Sequence, residues 1–187
     1  MSQKIKLLNQ ECLCKVSIGG NLSCLKYIHK NIGTKKNDYW ILAYTAKSGI
    51  VECFKYAYEI MKMEDNGQVL NYAALSGNLN CLKYAHKCQF RSFWRTSSCA
   101  AGSGSLKCLI YSNKIMHSNE IMHSKCDDDC IRQSVLSQSI ECLKYAYEVM
   151  GIKTKIPINS LAIKTKINFE CFEYCKKNNL FYNNFYW

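Results

Sequence analysis

Thirteen cysteines and four histidines are the residues of this chain with the widest chemical repertoire, and their spacing decides what they could do. His117, His123, Cys126 and Cys130 lie within one short stretch, and four such side chains could in principle hold a tetrahedral zinc ion. Cys126 and Cys130 are also spaced to share a helix face. Against this, residues 115–124 read Ile-Met-His-Ser-Asn-Glu-Ile-Met-His-Ser, a tandem duplication that supplies both histidines and matches no standard zinc module. The aspartates Asp127, Asp128 and Asp129 that follow suit the first turn of a helix. We read the stretch as a loop insertion, with no metal and no cofactor. His29 and His86 occupy one recurring slot that elsewhere holds Tyr58, Asn113, Tyr147 or Lys176, as surface variation would. With no glycine-rich phosphate loop, no nucleophile beside a base and no paired carboxylates, catalysis is not expected.

Two aromatic stretches carry binding chemistry instead. Phe90-Arg-Ser-Phe-Trp94-Arg95 interleaves arginines with aromatics, the composition either of a binding tip or of a loop folded back on the core. Phe181-Tyr-Asn-Asn-Phe-Tyr-Trp187 reads either as a lid over the end of the structure, the reading we favour, or as an exposed adhesive tail.

The elements that position these groups follow from a repeat. Cysteine recurs at Cys24, Cys53, Cys81, Cys108, Cys142 and Cys171, each followed three residues later by Tyr27, Tyr56, Tyr84, Tyr111, Tyr145 or Tyr174. An apolar residue follows each cysteine directly: Leu25, Phe54, Leu82, Leu109, Leu143 or Phe172. Another stands two before it, at Leu22, Val51, Leu79, Leu106, Ile140 or Phe169, and the set predicts one buried helix face that includes the cysteines and tyrosines. Successive marker cysteines are 29, 28, 27, 34 and 29 residues apart, and the six-residue duplication accounts for the 34. A period of this size signals stacked repeats.

Each unit reads as two helices. Asn21, Asn78, Ser105, Ser139 and Asn168 stand three before the marker cysteine as N-caps, and Ile50 breaks the pattern. Gly20, Gly49, Gly77 and Gly104 precede those caps and suit the left-handed end of an earlier helix. Gln138 and Ile167 replace the glycine in the last two units, which predicts a different turn there. Asn9, Asp38, Asn66 and Asp127 are candidate caps of the earlier helix, and the sixth unit offers Pro157 for a first helical turn. Small residues, Ala46, Ala73, Ala74, Ala100 and Ala101, fill the centres of those first helices.

The segment Ala73-Ala74-Leu-Ser-Gly77-Asn-Leu-Asn-Cys81-Leu-Lys-Tyr resembles the Ala-Ala-x-x-Gly-His-Leu-Glu-Val-Val-Lys-Leu core of an ankyrin repeat. It is similar to the short Cys-Leu-Lys-Tyr form of ankyrin proteins from large DNA viruses and protists. The likeness spans nearly all of residues 1–187, without the Thr-Pro-Leu-His of the standard repeat and with a shorter period. It implies a single all-α domain, a solenoid of about six helix-turn-helix repeats with short loops. It also implies a non-catalytic, intracellular scaffold for protein–protein interaction, acting on host proteins if viral. In ankyrin arrays the ends of the first helices and the loops before them make the contacts. By motif match these are Lys47, Ser48, Leu75, Ser76 and Leu136, with Trp40 and Trp94 nearby.

The net charge of +11 admits a second reading, a basic α-solenoid on RNA or DNA. Its lysines are scattered, however, with Lys26, Lys55, Lys83 and Lys144 on the outer face of the marker helix, and no basic block occurs. No apolar run reaches the length of a membrane span or signal peptide, which predicts a soluble protein without membrane contact; we expect a monomer.

Overall fold

A computed structural model of the chain describes residues 12–32, 38, 40–90, 95–118, 129–157 and 168–182. Contacts divide the chain into two compact units, Met1–Phe93 and Trp94–Trp187, and three marker cysteines fall in each. The first unit holds α1 (12–19), α2 (Leu22–Ile32), α3 (Trp40–Lys47), α4 (Val51–Lys55), α5 (Val69–Leu75) and α6 (Leu79–Lys87). The second holds α7 (Thr96–Gly102), α8 (Leu106–Ser118), α9 (Cys130–Leu136), α10 (Ile140–Lys144) and α11 (Phe169–Lys177). It also holds β1 (Ile156–Pro157) paired in parallel with β2 (Phe181–Tyr182). Among the described residues the fold is all-α apart from that pairing.

First helices lie side by side within each unit, α3 on α5 and α7 on α9. The small side chains make this possible: Ala43, Ala46, Ala73, Ala74, Ala100 and Ala101 are all fully buried. Buried hydroxyls among them bond back along their own helix, Thr45 Oγ1 to the Leu42 carbonyl at 2.9 Å and Ser98 Oγ to the Arg95 carbonyl at 3.1 Å.

The turn between the helices of a pair is built as the sequence predicts, with Gly20, Gly49, Gly77 and Gly104 at φ between +66° and +74°. A side chain at Gly20 would also collide, since a Cβ there would stand 2.6 Å from Ile50 Cγ1. Gln138 corrects the expectation of a different turn: it adopts φ +58° and makes the same left-handed bend. Ile167 lies outside the described residues. N-caps follow the pattern, with Asn21, Asn78, Ser139 and Asn168 each accepting from the N–H three residues on. Asn78 and Asn168 do more, donating their Nδ2 at 2.9 Å to the Gly49 and Gln138 carbonyls of the preceding turn. Ile50 cannot make that bond, and there the Cys53 thiol donates to the Gly20 carbonyl at 3.1 Å instead.

The earlier helices depart from expectation at Asn66 and Pro157. α5 begins at Val69, and Asn66 ahead of it accepts from the Gln68 N–H in a loop turn. Asn9 and Asp127 lie outside the described residues, and Pro157 sits in β1 opposite Tyr182 rather than in a helix. A proline tolerates that place because it needs no N–H where a two-stranded pairing ends.

Marker helices bury the residue four places after the cysteine throughout, and they bury the cysteine and the residue after it except at Cys24, which is exposed, and Phe172, which is half-buried. Leu25, Phe54, Leu82, Leu109 and Leu143 are buried, as are Ile28, Ala57, Ala85, Ser112, Ala146 and Cys175. Five of the six marker cysteines are buried free thiols, while Cys24 is exposed. The marker tyrosines correct the expected buried face: Tyr27 is 67% exposed and the other five are half-buried. A phenol carries a hydroxyl that needs a partner, and the rim of the helix lets it reach the neighbouring repeat. Tyr84 Oη donates to Glu59 Oε1 at 2.7 Å, and Tyr174 Oη donates to Glu148 Oε1 at 2.6 Å. Tyr145 Oη accepts from Asn113 Nδ2 at 3.2 Å, and Tyr56 Oη lies 2.9 Å from His29 Nδ1.

α4 and α10 end differently from α6 and α11. Each runs on into a π turn, Tyr56–Ile60 and Tyr145–Val149, in which Met61 N–H and Met150 N–H reach back to the Tyr56 and Tyr145 carbonyls. The positive-φ residue then falls at Lys62 or Gly151, nine after the marker cysteine, against Gln89 or Asn179 at eight in α6 and α11. The π turn thus absorbs one extra residue. It still delivers a buried plug, Met63 or Ile152, where the shorter ends deliver Phe90 or Leu180.

A candidate interaction face on the first helices

The outward side of the first helices is set by their burial pattern. With the inner side packed on the neighbouring helix, the slots two, five and nine residues before the turn's left-handed residue point away from the core. In the first unit these slots hold Lys47, Tyr44 and Trp40 on α3, and Leu75 and Tyr72 on α5 with Gln68 just before it. Trp40 is 48% exposed and Lys47 is exposed, while Tyr44, Tyr72 and Leu75 are half-buried.

Four of these side chains form one cluster. Trp40 stacks on Tyr44 with centroids 5.8 Å apart and planes at 23°. Tyr72 meets both edge to face, 6.4 Å from Trp40 and 6.0 Å from Tyr44. The Lys47 ammonium lies 5.7 Å from the Tyr72 ring centre, inside the roughly 6 Å reach of a cation–π contact. The structure therefore brings Trp40 and Lys47 together through a third residue, Tyr72, that the sequence reading missed. Its signal was available, because Tyr44 and Tyr72 hold the same slot five residues before Gly49 and Gly77.

The other predicted contact residues are placed differently. Ser48 and Ser76 spend their hydroxyls on the turn: each donates to a carbonyl three residues back at 2.7 Å and accepts from an N–H two residues on. Leu75 lies one helical turn beyond Tyr72. Leu136 is half-buried on α9 in the second unit. Trp94 lies outside the described residues, as do Arg91, Ser92 and Phe93 of the same loop.

The equivalent slots of the second unit carry different chemistry. They hold Arg95, Cys99 and Gly102 with α7, and Asp129, Gln133 and Leu136 with α9. Asp129 is held by Arg132, with Nε at 2.5 Å from Oδ1 and Nη2 at 2.9 Å from Oδ2, and by Gln133 Nε2 at 2.8 Å. Burial works against the Asp129 carboxylate, yet these hydrogen bonds outweigh it and hold its pKa below the ordinary value.

The His117, His123, Cys126 and Cys130 stretch lies largely outside the described residues, and among the described residues no cluster of three or more histidines, cysteines or acids is poised for a metal. Cys130 is buried in α9, and His123 and Cys126 lie outside the described residues. An open pocket beside the α4 π turn is lined by Tyr58, Glu59, Lys62, Met63, Glu64 and Asp65. Asp65 there turns its Oδ1 to the Gly67 N–H at 2.8 Å, capping its own loop. No helix among the described residues is long and apolar enough to cross a membrane.

Compared with protein-family models, curated proteins and solved structures, the chain matches none.

Proposed function

We propose that this chain is a non-catalytic protein-binding scaffold of ankyrin-like repeats, with its partner seated on the outward side of the first helices. What supports this reading is a contrast within the molecule. Core slots are held constant from repeat to repeat, whereas the outward slots change from Lys47 to Leu75 to Gly102 to Leu136. Positions that a rigid scaffold leaves free are where recognition usually resides. The exposed Trp40 beside Lys47 is the observation that carries it, since a half-exposed tryptophan on a fixed helix is the kind of anchor that dominates protein interfaces.

The alternative, a basic surface for RNA or DNA, would use the exposed marker-helix lysines. Lys26 lies 5.7 Å from the Tyr56 ring and Lys55 lies 5.5 Å from the Tyr84 ring of the following repeat, and Lys47 makes the same kind of contact with Tyr72. These contacts do not separate the two readings, and the changing outward slots carry the choice.

Affinity capture from cells that express the chain tests it. Replacing Trp40, Lys47 and Leu75 together by alanine should remove the captured protein and leave the helical circular-dichroism signal in place. Replacing Lys26, Lys55, Lys83 and Lys144 should not. The reverse outcome, joined to a nucleic-acid affinity that falls steeply between two salt concentrations, would establish the alternative.

A further inference from the structure

We infer that the α3–α5 face of the first unit takes an acidic segment of a protein partner that carries an aromatic or large aliphatic side chain; this rests on the protein-binding reading above. The acid meets Lys47 and the apolar group packs on Trp40.

Charge complementarity sets the sign of the ligand. Among the described residues, the outward slots of α3 and α5 carry Lys47 and no aspartate or glutamate. Lys47 has an aromatic ring as its neighbour rather than a carboxylate, so its charge is available to an incoming acid. An ammonium on a partly apolar surface is less hydrated than one in open water, and pairs there are stronger.

Ring geometry sets the rest. Trp40 is fixed by its stack on Tyr44 and by the edge of Tyr72, so little side-chain freedom is lost when a ligand packs on its exposed part. The same geometry disfavours a single nucleic-acid strand. Tyr44 and Tyr72 stand at 89° to one another and one face of Trp40 is covered by Tyr44, so the cluster offers no row of open ring faces for successive bases. The second unit serves as an internal comparison. Its equivalent slots hold no aromatic residue, and its acid, Asp129, is already paired with Arg132. The combination of an aromatic anchor with a cation against its cluster therefore belongs to the first unit.

The test is selection of a displayed random peptide library, about twelve residues long, on the immobilised full chain. Enriched peptides are then synthesised and titrated against the wild type, Trp40→Ala, Lys47→Glu and, as a control, Lys83→Glu. Peptides of net negative charge with an aromatic or large aliphatic residue should dominate. Their affinity should fall about tenfold or more with Trp40→Ala and with Lys47→Glu, and not with Lys83→Glu. Changing the peptide acid to lysine should restore binding to Lys47→Glu. Circular dichroism of each variant checks folding, and Lys47→Glu, an exposed change, carries the test if Trp40→Ala unfolds. Basic or uncharged peptides that still lose affinity with Trp40→Ala would overturn the acidic ligand and leave the face standing. Peptides indifferent to both variants would overturn the face as well. A single-stranded oligonucleotide that binds more tightly than any peptide and is lost with Lys47→Glu would overturn the protein partner.

Discussion

Ser134 occupies a slot that holds Ala73 and Ala100 in other repeats, and its buried Oγ has no hydrogen-bond partner. Thr45 stands in the same slot and donates to the Leu42 carbonyl three residues back, a bond that Ser134 does not make. A buried polar group left unpaired costs roughly 1–3 kcal/mol. Ser134→Ala should therefore stabilise the protein by about 1 kcal/mol in urea unfolding, and a loss of stability would mean that the hydroxyl is satisfied in solution. The tyrosine ladder makes a second residue-scale case. Burial first, and then the hydrogen bond to Glu59, push the Tyr84 phenol above its ordinary value. If that bond ties two repeats together, a double-mutant cycle of Tyr84→Phe and Glu59→Gln should give a coupling of about 1 kcal/mol. Coupling near zero would leave Tyr84 to its ring contacts, with Phe54 5.2 Å away edge to face and with the Lys55 ammonium at 5.5 Å. The sequence marked these tyrosines as constant but not why. Their partners lie a repeat away, at slots that hold glutamate, asparagine or histidine and so look variable.

Helix starts and tight turns were the most legible elements, because each rests on a local requirement that one residue type meets. Asn21, Asn78 and Asn168 announce the marker helices, and the glycines announce the bends. The reading failed at Gln138, where packing on both sides of the turn overrides a residue's own preference: the same bend is kept at φ +58°. A non-glycine residue in that conformation costs about 1–2 kcal/mol. Gln138→Gly should recover part of this, about 0.5–1 kcal/mol after glycine's larger entropy in the unfolded chain, without disturbing the Asn168 bond, which uses only the backbone carbonyl. A lower midpoint in thermal unfolding would show that the glutamine side chain contributes something the geometry does not reveal. The π turns were not legible for a different reason. Tyr56–Ile60 and Tyr145–Val149 have ordinary helix-forming sequences. What makes them π is one surplus residue between two fixed points, the buried cysteine and the buried plug, and only three dimensions fix both points at once.

At the scale of the whole molecule, spacing alone exposed the helix pairs and the core cysteines, since burial of one helix face repeats with the period. The outward cluster was half legible: Trp40 and Lys47 stood out by type, but their meeting on Tyr72 depends on how α3 lies against α5. The repeated buried thiol has a consequence that belongs to no single repeat. Burial raises the pKa of Cys53, Cys108, Cys142, Cys171 and Cys175, the last to about 12. In the unfolded chain the same thiols ionise near about 8.5. Below that pH both states are protonated and the thiols leave stability unchanged. Above it the unfolded state sheds protons that the folded state keeps, so stability falls as pH rises through the window up to the folded values. Lysine deprotonation, near about 10.4, removes surplus positive charge and relieves self-repulsion, which works in the opposite direction. The interval from about pH 8.5 to 10 therefore isolates the thiols. Urea unfolding across it should show a declining free energy, and Cys175→Val should flatten the decline by up to about 1.4 kcal/mol per pH unit, the limit for one proton. Stability that stays level or rises over that interval in the wild type would mean that these buried thiols ionise without hindrance in the folded state.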